Sequence, residues 1–118
     1  MDIKTQVSQM DAMVSQGDIV NAVKTHFADE ASTSDYGKVT TNGKAQMVEK
    51  MSGFLSAIAN VNGITHHHSI VDGNVSASEF TFDFDMKDGS KIFWHEIIRR
   101  IWDSQGKVIS EEYFNAQN

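Results

Sequence analysis

The stretch VSASEFTFDFDM KDGS KIFWHEIIRRIW, residues 75–102, decides the fold. It consists of two runs, Val75–Met86 and Lys91–Trp102, joined by the turn sequence at 87–90. Both runs are longer than the usual five or six residues of a strand and are rich in β-branched and aromatic residues. A third run of this kind, Lys107–Phe114, follows the turn sequence at 104–106. We therefore predict a three-stranded antiparallel meander, whose long strands have to curve.

The turn at 87–89 sets the register of the first hairpin. If it has three residues and Gly89 is left-handed, Phe84 faces Ile92. One face of the hairpin then collects the large apolar residues together with two charged ones: Phe80, Phe82, Phe84, Ile92, Trp94, Glu96, Ile98 and Arg100. A two-residue turn would reverse one strand and mix the two faces, so the sequence favours the three-residue turn. Among aromatic rings, Glu96 is expected to favour its neutral form unless Arg100 or a histidine pairs with it, and a structural ion pair is the alternative.

The sequence before the meander predicts helices that cover this face. Apolar residues at helical spacing indicate a first helix that ends near Gly17 and a second that begins after Asp18, a good N-cap residue. A short strand ending near Asp35 and a third helix from about residue 42 to residue 60 follow. Ile64–Val71 is predicted to be a strand, with a hairpin turn at 72–74. We thus expect one domain, residues 1–118, with an α+β fold: three N-terminal helices packed on the concave face of a curved antiparallel sheet.

Composition excludes several classes of function. The chain has 118 residues, is 40% hydrophobic and has a formal net charge of -6, which opposes binding to nucleic acid because that binding draws on clustered Lys and Arg. It contains no cysteine, so disulfides and thiolate metal sites are excluded. The sequence shows no 18-residue apolar run and no leader pattern, so we expect no membrane partner and a cytoplasmic location.

The order of elements, the pair Gly17-Asp18, the run FADEA at 27–31 and the closing turn at 102–108 resemble the nuclear-transport-factor-2-like superfamily. This superfamily includes the SnoaL-like polyketide cyclases and the ketosteroid isomerases. The resemblance implies a cone in which the sheet and the helices enclose an apolar pocket, and a dimer formed through the outer face of the sheet. It covers nearly the whole chain but is weak for activity, because many functions share this fold.

Alignment with the ketosteroid isomerases matches one of their catalytic residues to this sequence. Asp35 falls where the family keeps its proton-shuttling carboxylate, although a solvated carboxylate at a strand end is the alternative interpretation. Met10 and Ile98 stand where the two donors to the oxyanion are expected. Because losing one such donor costs about two to three powers of ten in rate, the resemblance does not predict isomerase chemistry of that kind.

Three consecutive histidines, His66, His67 and His68, lie within the predicted strand at 64–71. Strict alternation would place His66 and His68 on one side and His67 on the other. Two histidines at this spacing can bind a metal, but no third ligand lies at a diagnostic spacing, so we predict no metal site. We interpret the histidines as hydrogen-bonded sheet or pocket residues that can transfer protons near neutral pH.

Two hypotheses for the function follow from these residues. The first is an enzyme, an isomerase, cyclase or lyase, that uses acid-base chemistry without a cofactor on a small hydrophobic, carbonyl-bearing molecule. The second is a non-catalytic ligand-binding or dimerisation module. The candidate catalytic residues are Asp35, His66, His68 and Glu96, and we expect Asp35 to share a pocket with His66 or His68. The candidate ligand-binding residues are Tyr36, Phe54, Phe80, Phe82, Trp94, Ile98 and Arg100.

The outer face of the meander predicts self-association. In the chosen register Phe93, Ile97 and Ile101 form one outward row on the second strand, beside Asp83 and Asp85 on its neighbour. An apolar row rimmed by charges usually marks an interface. We therefore expect a homodimer that buries sheet against sheet; with a two-residue turn, Trp94 and Ile98 would be the exposed residues instead.

Overall fold

The computed structural model describes residues 2–116 as three helices and a curved six-stranded sheet. The elements in chain order are α1 (Ile3–Ser15), α2 (Ile19–His26), β1 (Phe27–Asp35), β2 (Lys38–Asn42), α3 (Lys44–Ser56), β3 (Ile58–Asp72), β4 (Val75–Met86), β5 (Lys91–Trp102) and β6 (Val108–Asn115). The strand order is β2-β1-β6-β5-β4-β3. This confirms the predicted α+β fold. Within residues 2–116, no helix has the length and apolar character needed to cross a membrane.

The hairpin between β4 and β5 has the predicted register. Phe84 pairs with Ile92 and Phe80 pairs with Glu96. The Met86 N–H donates to the Ser90 carbonyl at 2.9 Å, which closes a three-residue turn, and Gly89 has φ 90. A side chain rarely adopts that φ, so glycine is the residue that this turn requires.

The structure differs from the sequence prediction in three places. Helix α3 ends at Ser56, and the chain is already strand from Ile58, where we predicted helix up to residue 60. The reason is tertiary, because Ile58 pairs with Met86 and the strand continues along β4 from there. Strand β2 was not predicted; it forms by pairing with β1 and carries the sequence KVTTN. Strand β1 pairs with β6 in parallel, so the sheet is mixed rather than entirely antiparallel.

The core lies between the helices and the inner face of the sheet. Helix α1 buries Val7, Met10 and Val14 there, and α3 buries Met47. From the sheet, the aromatic residues Phe80, Phe82, Phe84 and Trp102 are buried. The Trp102 indole N–H donates to Ser76 Oγ at 2.9 Å, so the largest core side chain is also satisfied as a donor. The inner face of β4 and β5 therefore serves both as packing surface and as one wall of the site described below.

Candidate functional site

A cavity of about 190 Å³ lies between the inner face of the sheet and all three helices. Its apolar wall is formed by residues of the helices and of the central strands: Met10, Val14, Ile19, Ala22, Val23, Met47, Met51, Phe54, Phe82, Phe84, Trp94 and Ile98. The ionisable and hydroxyl-bearing side chains along it are Asp35, Tyr36, Lys50, Glu96, Arg100, Glu111 and Tyr113. The Phe54 and Trp94 rings stack with centroids 5.6 Å apart, and Trp94 is 39% exposed, which places this pair at an open end of the cavity.

Glu96 is a buried carboxyl group that lines the cavity beside apolar residues. It lies in the middle of the inner face of β5, is 7% exposed and accepts a hydrogen bond of 2.7 Å from the Tyr36 hydroxyl. Burial raises the pKa of Glu96, the hydrogen bond from Tyr36 opposes that rise, and the negative charges of Asp35 and Glu111 add to it. Glu96 therefore holds its proton to a higher pH than an exposed glutamate does.

Tyr36 reaches Glu96 from an unusual backbone conformation. It follows β1 in the turn to β2 and has φ 53, the single positive value among the non-glycine residues between 2 and 116. Its backbone N–H donates to the Tyr113 carbonyl at 3.1 Å, which ties the turn to β6. Burial, followed by the hydrogen bond to Glu96, raises the pKa of the Tyr36 hydroxyl to about 12. The phenol thus stays protonated and serves as a donor, and backbone conformations of this kind often occur at functional sites.

Asp35 lies beside Tyr36 and is paired with a lysine. Lys50 Nζ is 2.9 Å from Asp35 Oδ2 and also donates to Thr40 Oγ1 at 3.1 Å. Both side chains of the pair are about one-third exposed, at 34% and 33%. Lys50 was not singled out from the sequence, although it lies three residues after Met47 and so on the same helical face. Asp35 therefore lines the cavity in a salt bridge with Lys50.

Arg100 is not the partner of Glu96, so the interpretation of these two residues as an ion pair is wrong. Arg100 is 1% exposed; its Nη1 lies 2.8 Å from Asp11 Oδ1 and its Nε lies 2.8 Å from Glu111 Oε2. Burial by itself lowers the pKa of Arg100, but the Glu111 and Asp11 carboxylates outweigh burial and raise it. The Tyr113 hydroxyl donates to Glu111, which completes a buried charged cluster at one end of the cavity. The side chains of Glu96 and Arg100 thus belong to separate networks.

The three histidines do not alternate, because a bulge in β3 falls between His66 and His68. His66 pairs with Phe80 on the inner face and stacks on its ring at 4.9 Å, whereas His68 pairs with Glu79, whose side chain lies on the outer face. The prediction that His66 and His68 share a side is therefore wrong. His66 Nε2 lies 2.8 Å from Ser69 Oγ.

The predicted meeting of Asp35 with a histidine in one pocket is also wrong. His66 lines a second, more open depression with Asp11 and Ser69, not the cavity that Asp35 lines. Phe80 is fully buried and packs between His66 and Phe82 instead of lining the cavity. The predicted residues that do line the cavity are Asp35, Tyr36, Phe54, Phe82, Trp94, Glu96, Ile98 and Arg100.

The comparison with known proteins identifies the fold. No protein-family model matches the sequence, and no curated protein matches it. The chain is similar to a protein from Mesorhizobium loti assigned as a SnoaL-like polyketide cyclase, with 22% identity, a TM-score of 0.85 and coverage of 97% of this chain and 99% of that one.

Two further solved structures point to the same fold. A nuclear-transport-factor-2-like protein from Burkholderia pseudomallei has 13% identity and a TM-score of 0.77, over 98% of this chain and 92% of that one. A protein with a ketosteroid isomerase-like fold from Catenulispora acidiphila, solved in complex with trimethylamine, has 17% identity and a TM-score of 0.75, over 92% and 83% of the two chains. The chain thus has the fold of the SnoaL-like, nuclear-transport-factor-2-like and ketosteroid isomerase-like proteins, as its sequence predicted.

Proposed function

We propose that the cavity binds a small, mostly apolar molecule carrying a carbonyl group, and that Glu96 exchanges a proton with it without a cofactor. This is the chemistry of an isomerase, cyclase or lyase that removes a proton beside a carbonyl. The observation that carries the proposal is the buried Glu96 carboxyl, which accepts a hydrogen bond from the Tyr36 hydroxyl at 2.7 Å and shares the cavity-lining face of β5 with Trp94 and Ile98. The likeness to a protein assigned as a polyketide cyclase supports the reaction class.

The volume of the cavity limits the size of the ligand that it can hold. Pockets for drug-sized molecules measure about 300–1,000 Å³, whereas an apolar cavity of about 150 Å³ accepts benzene. At about 190 Å³, the cavity has room for a single ring with a short substituent. Met10, Met47 and Met51 line it, and their unbranched side chains can shift to admit a somewhat larger molecule.

In the proposed reaction, Glu96 would transfer the proton, and a separate hydrogen-bond donor would stabilise charge on the carbonyl oxygen. A catalytic acid or base works best when its pKa lies near the operating pH, and burial moves Glu96 in that direction. Met10 and Ile98, at the positions where the resemblance expected the oxyanion donors, both line the cavity with apolar side chains. Charge that develops on a carbonyl oxygen would therefore be met by the Tyr36 hydroxyl or by Lys50, both of which line the cavity together with Glu96.

A pair of matched ligands tests the binding step. Acetophenone and ethylbenzene have the same ring and differ at the carbonyl oxygen, so calorimetric titration of both measures what the oxygen contributes. We expect acetophenone to bind the wild type about tenfold more tightly, the equivalent of one hydrogen bond of about 1.4 kcal/mol. In Tyr36→Phe, which removes the hydroxyl expected to donate to the carbonyl oxygen, the preference should disappear while ethylbenzene still binds. Equal preference in both proteins would remove Tyr36 from the site.

The non-catalytic binding module remains the second candidate, and the apolar side chains of Met10 and Ile98 favour it. Such a module would bind acetophenone through Glu96 and Tyr36 without exchanging protons with it. The exchange experiment described in the Discussion separates the two candidates, because it measures proton transfer independently of affinity.

Self-association through the outer face is a second proposal. Phe93 is 57% exposed, and Phe114, which pairs with Ile97, is 41% exposed, so large apolar side chains extend across two neighbouring strands. Two copies packed sheet against sheet would cover the same residues on both. We expect sedimentation at micromolar concentration to give twice the 13.1 kDa of one chain.

One substitution within the proposed surface and one at the edge of the sheet test whether the outer face forms the dimer. Ile97→Asp should give the monomer, because it places a charge in the centre of the apolar surface. Val39→Asp is the control: Val39 is 62% exposed but lies on β2, at the far edge of the sheet. A wild type that sediments as one chain, or an Ile97→Asp variant that stays dimeric, would contradict the proposal.

A further inference from the structure

We propose that the outer face of the sheet carries a zinc-binding site formed by His67, Glu79 and His95. The site lies on three adjacent strands, β3, β4 and β5, on the opposite side of the sheet from the cavity. It is independent of the proposed ligand site, since none of its three residues lines that cavity.

The geometry brings the three ligand atoms together. One side-chain donor atom from each residue lies within 4.8 Å of the other two. His95 Nε2 is 2.5 Å from Glu79 Oε2, and the His67 and His95 rings have centroids 5.4 Å apart. Tetrahedral zinc with bonds of about 2.0–2.2 Å holds its ligand atoms about 3.3 Å apart, so small side-chain rotations convert the present arrangement into a coordination shell.

The bulge in β3 is what creates this cluster. With strict alternation, one of His67 and His68 would face the cavity side of the sheet. The bulge turns both toward the outer face, where His67 Nε2 contacts Thr81 Oγ1 at 2.7 Å and His68 Nε2 lies 2.9 Å from Glu79 Oε1. A bulge re-aims side chains in this way, and such features are often functional.

The chemistry of the ligands selects the metal. Two imidazole nitrogens and one carboxylate oxygen form a three-residue set that zinc uses when a fourth position is left for water or another ligand. His68 is near enough to Glu79 to supply that fourth ligand, and its side chain is 76% exposed and therefore free to move. Magnesium and calcium prefer shells made only of oxygen, which this cluster cannot offer.

Calorimetric titration with zinc chloride tests the site in the full chain. The wild type should bind one zinc ion per chain, and His95→Ala and Glu79→Gln should each weaken binding at least 10- to 100-fold, as the loss of groups that support a metal does. His66→Ala is the matched control: it removes a neighbouring imidazole that lies on the inner face. It should bind zinc as the wild type does.

Two further measurements secure the interpretation. Thermal unfolding without metal shows whether each variant is folded, and cobalt(II) added to the wild type should give the visible absorption of a tetrahedral complex. Because His95 shares the outer face with the proposed dimer surface, the titration is repeated in Phe114→Asp, which adds a charge to that surface on β6 rather than beside Glu79, and zinc binding should persist there. A wild type that binds no zinc, a His95→Ala variant that keeps wild-type affinity, or a His66→Ala variant that loses as much affinity as His95→Ala would overturn the proposal.

Discussion

Replacing Arg100 by methionine is expected to lower the free energy of unfolding by about 3–5 kcal/mol. The guanidinium is 1% exposed and lies 2.8 Å from both Asp11 and Glu111, which are themselves buried. Methionine fills much of the same space but leaves two buried carboxylates without a cation. Since domains are stable by about 5–15 kcal/mol in total, this single change can remove a large part of the stability. Urea unfolding at pH 7 measures the loss.

Arg99 provides the matched control. It is the adjacent residue on the same strand, but it faces outward, and its pair with Glu112 at 2.8 Å has side chains that are 42% and 31% exposed. Exposed ion pairs of this kind contribute about 0–1 kcal/mol, so Arg99→Met should stay within that range. Equal losses of unfolding free energy in the two variants would show that the buried ion pairs of Arg100 stabilise the protein no more than the exposed pair of Arg99 does.

The second large effect is expected on proton transfer. If Glu96 removes a proton beside the carbonyl of bound acetophenone, the methyl protons of acetophenone should exchange with deuterium from heavy water faster with the wild type than in buffer. General acid-base groups contribute about 10²- to 10⁴-fold, so Glu96→Gln should lower the rate by that factor. Proton NMR follows the exchange directly. Glu112→Gln, a change to an outward glutamate, should leave the rate unaltered.

The exchange rates also decide between the two candidate functions. Binding of acetophenone without acceleration of exchange by the wild type would support the non-catalytic module. Acceleration that persists in Glu96→Gln would assign the proton transfer to another group, and Asp35 would be the first to test, because it lines the same cavity.

The pH dependence of stability checks the protonation of Glu96 without any ligand. Burial raises its pKa in the folded protein above the ordinary value of 4.5. As the pH rises above 4.5, the unfolded chain therefore loses this proton first, and ionisation favours unfolding until the pH passes the raised pKa. The free energy of unfolding of the wild type should accordingly fall with rising pH relative to that of Glu96→Gln, at about 1.4 kcal/mol for each unit of pKa difference. A difference that grows in favour of the wild type would contradict the burial argument.

The sequence predicted the β4–β5 hairpin because two independent signals agreed there. Alternation separated apolar from polar residues along both strands, and Gly89 supplied the turn that keeps this separation. Once the register was known, the places of Phe82, Trp94 and Glu96 on the inner face followed. The parallel pairing of β1 with β6 had no such signal, because it joins residues separated by most of the chain.

The predictions about the candidate site that were wrong failed for the same reason: the local sequence carries no signal for the contacts involved. A bulge is one extra residue in a strand, and nothing in three identical histidines shows which of them is extra. The partners of Arg100 come from α1 and β6. No local spacing could therefore indicate that Arg100 pairs with Asp11 and Glu111 instead of with Glu96. Tyr36 was selected as a ligand contact, but its hydrogen bond to Glu96 depends on a left-handed backbone conformation that a tyrosine rarely adopts.

The methionine methyl groups test most directly whether the cavity is the ligand site. Met10, Met47 and Met51 line it, whereas Met13 and Met86 lie outside its lining, so one spectrum of protein labelled with ¹³C at the methionine methyls contains both probe and control. On titration with acetophenone, we expect the signals of Met10, Met47 and Met51 to move together along one binding curve while those of Met13 and Met86 stay in place. Signals that do not move, or shifts confined to Met13 and Met86, would contradict the account.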